Sequence, residues 1–111
     1  MIVTGEAAYQ ESAKIIDDVN VLIRNTDKQR QIKKITKIYK YKFGWSRKTI
    51  FLYVMKSMPE VVTSINEDSI KGYNLTQLYA AMDKRQLSTL IKKLEQIEKR
   101  NESRKVEDEL L

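Results

Sequence analysis

Between Gly44 and Ile50 the chain reads Gly-Trp-Ser-Arg-Lys-Thr-Ile, a turn glycine followed by hydroxyl and cationic side chains. An arginine such as Arg47 can grip guanine O6/N7, or a phosphate, in a two-pronged contact. The hydroxyls of Ser46 and Thr49 can donate to phosphate, and Lys48 adds a second charge. A helix opening at Ser46 would add its own N–H groups and partial positive charge. From Arg24 to Lys56 there are eleven Lys/Arg and one acid, Asp27, a segment charge of +10. Residues 1–23 carry −3 and residues 57–111 carry −1, which restores the chain total of +6. Lys33, Lys37, Lys42 and Lys56 stand in this segment where backbone phosphates can be met. Any one of these lysines reads most simply as part of a solvated face. The group is harder to read that way, and its field suits a polyanion partner.

Other chemistries are excluded by composition. The chain has no cysteine and no histidine, so disulfides, thiolate metal sites and a histidine general base are ruled out. The carboxylate pairs Asp17-Asp18 and Glu67-Asp68 are neighbours in sequence and would diverge on a helix. No enzymatic activity and no cofactor are expected. No apolar run approaches the ~18 residues of a membrane span, and Met1–Glu11 lacks the layout of a signal peptide. A cytoplasmic protein with no membrane partner is expected.

These side chains need elements to hold them. With 3 glycines, 1 proline and apolar residues at spacings of three and four, the chain reads as all-α. Residues 6–24 carry a stripe of Ala8, Ile15, Ile16, Val19 and Ile23. A second helix opens near Thr26, carries Ile32, Ile35, Ile38/Tyr39 and Phe43, and ends at Gly44. Ser46 caps a third, closed by Pro59. Pro59 opens a short fourth helix with Val61, Val62 and Ile65. Residues 66–74 read as a polar connection. Asn74 opens a fifth helix through Leu78 and Met82, and Asp83-Lys84-Arg85-Gln86 caps a last one. Residues 98–109 read as a solvated helix extension or a frayed tail. The expected architecture is a helix-turn-helix domain of about five to six helices over residues 1–82. Residues 83–111 then form a C-terminal helix with a polar tail. Leu87, Leu90/Ile91, Leu94 and Ile97 either form a short seam for a homodimer or pack back onto their own domain.

A helix-turn-helix requires five buried positions around its turn. With Gly44 as the turn glycine these are Tyr39, Phe43, Trp45, Ile50 and Tyr53, all apolar or aromatic. Lys40 occupies the place where a small residue is expected, so its stem must run along the helix crossing and put its ammonium in solvent. In this register Ser46, Arg47, Lys48 and Thr49 face the DNA groove. Phe51 and Leu52 also face outward, to thymine methyls or to another helix.

Ser46-Arg47-Lys48-Thr49-Ile50, then Met58-Pro59-Glu60-Val61-Val62, then Ile65 and Ile70, resembles the central DNA-binding region of ParB/KorB-type partition proteins. Glu6-Ala7-Ala8-Tyr9 is similar to the family's entry helix, and Leu75–Leu94 to the helices that follow. The resemblance spans roughly residues 6–97. It implies sequence-specific binding of double-stranded DNA in plasmid or phage partition, with transcriptional regulation as the neighbouring role. It also implies a partition partner protein. The family's nucleotide-binding domain has no counterpart in this sequence, so CTP hydrolysis and clamp sliding are not expected. The alternative function is a basic helical adaptor for an acidic protein, with Phe51 and Leu52 as its contacts.

Overall fold

Ile32 and Ile35 lie one helical turn apart, and both are fully buried on α1 (Thr26–Thr36) of the computed structural model, which describes residues 26–111. After α1 the backbone widens into a π-helical stretch, Lys37–Lys42, in which the Phe43 N–H reaches the Ile38 carbonyl at 3.0 Å. Wider winding lets Ile38 and Tyr39 both enter the core while Lys40 and Tyr41 turn to solvent. The misfit at Lys40 is resolved there: its ammonium lies outside, 5.6 Å from the Tyr41 ring centroid.

Gly44 takes φ +72°, the left-handed turn that ends the segment, and the Trp45 N–H closes it on the Tyr39 carbonyl at 2.8 Å. Helix α2 (Arg47–Ser57) follows, with the Ser46 hydroxyl accepting the Thr49 N–H at 3.1 Å. Pro59 opens α3 (Pro59–Val62), where its missing N–H is no loss. The polar connection expected over 66–74 contains a helix instead, α4 (Glu67–Lys71), capped by the Asn66 side chain on the Ser69 N–H at 2.8 Å. Asn74 caps α5 (Leu75–Ala81), and Asp83 and Gln86 form the expected reciprocal cap of α6 (Lys84–Lys99). The C-terminal stretch is neither a continuous extension nor a frayed end. Asn101 takes φ +56° and breaks the helix, and α7 (Ser103–Leu110) folds back. No strand occurs among the described residues, so the fold is all-α. The stripe expected over residues 6–24 lies outside the described residues.

Two packing groups share one core. Asp27 meets Lys84 at 2.8 Å, Gln31 donates to the Lys84 carbonyl and the Ser88 hydroxyl, and Lys42 meets Glu98 at 3.0 Å. Both partners advance along the chain together, so α1 and α6 run parallel. α2 packs instead against α3, α5 and α7. The stripe read as a dimer seam is inside: Leu87, Leu90 and Leu94 are fully buried, and Ile91 and Ile97 nearly so. It packs back onto its own domain, and burial of each leucine contributes roughly 1.5–3 kcal/mol to the fold. α6 is therefore part of the same core as α2, not an appended element.

Candidate nucleic-acid interface

The first turn of α2 carries the residues with the most chemistry. Ser46 stands at the cap with its hydroxyl 2.9 Å from that of Thr49. Arg47 and Lys48 follow on the exposed side of that turn. Thr49 departs from expectation: it is fully buried and does not face a groove. Phe51 departs as well, being fully buried with its ring edge-on to Tyr73 at 5.8 Å between centroids. The cause is the breadth of the buried arc. With α5 and α7 both seated on α2, Thr49, Ile50, Phe51 and Val54 are all enclosed. What remains outside is exposed Arg47 at the start of the helix and a narrow ridge of Lys48, half-buried Leu52 and Met55, and Lys56. The spacing of four, three and one along the ridge places Lys48, Leu52, Met55 and Lys56 on one face.

Three of the four aromatics expected around the turn gather together. Trp45 is 3 % exposed, with its centroid 5.0 Å from Phe43 and 5.6 Å from Tyr53. Its indole N–H donates to the Ser103 carbonyl at 3.0 Å, which ties α7 to the turn. Burial pushes the half-buried Tyr53 phenol above its ordinary pKa, against a smaller opposing effect of its contact with Ser57.

The expected cations form three groups. Arg47 and Lys48 share the start of α2. Lys56 lies at its far end, about 13 Å along the axis at ~1.5 Å per residue, in a shallow cavity shared with Glu109 of α7. Lys33, Lys37 and Lys42 come together with Lys34 around a depression of 430 Å³ between the first helical segment and α6. That depression is not purely basic. Glu95 lines it, 3.9 Å from Lys34, and Glu98 holds Lys42 at 3.0 Å. A neighbouring depression of 350 Å³ adds Arg30 and Lys92 to Lys34 and Glu95. Lys42 is thus engaged by a carboxylate, whereas Lys33 and Lys37 meet none among the described residues.

Arg30, Lys34, Tyr73 and Lys92 of this region were not singled out from the sequence. Tyr73 lies beneath the Lys48 ammonium, 5.0 Å from ring centroid to nitrogen. Its position after a turn glycine offered a signal of exposure but none of its neighbours. Lys92 joins the α1 lysines only through the parallel packing of α6. No cluster of three or more metal-ligating side chains occurs among the described residues, and none of their helices is long and apolar enough to cross a membrane. Comparison with protein-family models, with curated proteins and with solved structures gave no match.

Proposed function

We propose that this chain binds double-stranded DNA with sequence preference, the ridge of α2 entering the major groove. The observation that carries the reading is the start of α2. Arg47 and Lys48 project from an exposed first turn whose cap, turn glycine and aromatic backing are all satisfied internally. Arg47 reads a base edge, Lys48 and the cap region meet phosphate, and Lys33 and Lys37 extend the positive field. Leu52 and Met55 can meet thymine methyls. The biological role in this reading is plasmid or phage partition, with a partition partner protein, or transcriptional regulation. A homodimer, if it forms, uses a surface other than the buried stripe of α6.

The test is duplex binding across salt concentrations. The log–log slope of affinity against salt should be roughly −4 to −5 if about five phosphates are neutralised. Selection from a random duplex library should return a recurrent motif. A flat salt response overturns the reading and favours the adaptor, whose contacts would be Leu52 and Met55.

A further inference from the structure

Three helical segments among the described residues end on a left-handed residue: Gly44 at φ +72°, Tyr73 at +50° and Asn101 at +56°. Each turn is closed by a long backward hydrogen bond: from Trp45 N–H to the Tyr39 carbonyl, six residues back, and from Asn74 N–H to Ser69 and Glu102 N–H to Ile97, five residues back. Glycine and asparagine take this conformation readily, whereas a tyrosine is disfavoured in it. The glycine of the middle turn is one residue early. Gly72 sits at φ −89°, where a Cβ would come within 3.3 Å of the Asp68 carbonyl oxygen. A close approach thus accounts for the glycine, and the left-handed position falls to Tyr73.

The side chain held there leans across the start of α2. Its ring stands edge-on to Phe51 and under the Lys48 ammonium, the residue is 37 % exposed, and its hydroxyl bonds to no described residue. The ring has packing to do, but the hydroxyl has none. We propose that Tyr73 is a phosphate contact of the DNA interface: the ring carries the Lys48 ammonium, and the hydroxyl donates to a backbone phosphate oxygen beside it. This rests on the DNA-binding reading above. A donor and a cation side by side would fix the register of α2 in the groove without reading a base.

Tyr73→Phe separates the roles, since it keeps the ring, the cation contact and the turn. It should weaken duplex binding about tenfold, equally on selected and random sequences, as loss of a hydrogen bond to a charged group does. The salt slope should stay as in the wild type, because a neutral hydroxyl releases no counterion. Tyr73→Asn, which suits the left-handed turn and removes the ring, should bind more weakly still while remaining folded by circular dichroism. Wild-type affinity in Tyr73→Phe, with the wild type itself binding duplex, overturns the phosphate contact and leaves the ring a packing role. A wild type that binds no duplex at any salt overturns both this inference and the DNA reading.

Discussion

Thr49 is fully buried, its hydroxyl oxygen 2.9 Å from that of exposed Ser46, so Thr49 closes the first turn of α2 instead of facing a ligand. Thr49→Val keeps the shape and removes one hydrogen bond. It should cost about 1 kcal/mol of stability in urea unfolding and leave the salt slope of duplex binding unchanged. Arg47 and Lys37 test the division of labour on the surface. Arg47→Ala should cost about 1–3 kcal/mol on the preferred site and relax preference at one base pair. Lys37→Ala should weaken all sequences alike. Binding assays on selected and random duplexes compare the two, and equal losses on both by Arg47→Ala would show that it reads no base. The residue types at 46–49 were legible in sequence as donors and cations. Which of them turn outward was not, because α5 and α7 widen the arc of α2 that is enclosed.

At the scale of elements, α6 is the piece whose role changed most. Its leucines have the spacing of a seam, and a seam looks the same whether it meets a second copy or α1. Leu94 is fully buried in the core, so Leu94→Glu should unfold the chain and not merely separate two copies. A charge without a partner there costs more than the 2–5 kcal/mol typical of a cavity substitution at such a site. Circular dichroism with sedimentation reads the difference, and a folded mutant would overturn the buried assignment. The start of the same pairing responds to acid. The Lys84 hydrogen bond, then its charge, holds the exposed Asp27 carboxyl below its ordinary pKa. A lowered folded value means the contribution is complete above the ordinary aspartate range and is lost as pH falls through the folded value. Asp27→Asn should lower the melting temperature slightly at neutral pH, and the difference from wild type should vanish in acid.

For the whole molecule, charge along the chain and charge on the folded surface are different quantities. The segment from Arg24 to Lys56 carries +10 in sequence. Folding brings Asp27 to Lys84 and sets Glu95 and Glu98 beside Lys34 and Lys42. The acids of α6 therefore offset part of the field that α1 and the π-helical stretch present. Exposed pairs of this kind add little stability, but they compete with phosphate for Lys42. Glu98→Gln should strengthen duplex binding and steepen its salt dependence, with little change in melting temperature. An unchanged affinity would place Lys42 away from the DNA.

What the sequence determined by itself was local. The helical spacing of Ile32 and Ile35, the glycine at 44, the serine cap at 46, the proline at 59 and the reciprocal cap at 83–86 each act within about a turn of backbone. Physics of that range is written in neighbouring residues. α4 and α7 escaped because short helices are marginal alone. α7 is held by an indole bond from Trp45 to Ser103 and by Val106 against the core, contacts between residues distant in sequence. The same holds for the burial of Thr49 and Phe51, the parallel pairing of α1 with α6 and the meeting of Lys48 with Tyr73. Each depends on which elements become neighbours in space, and tertiary packing alone decides that.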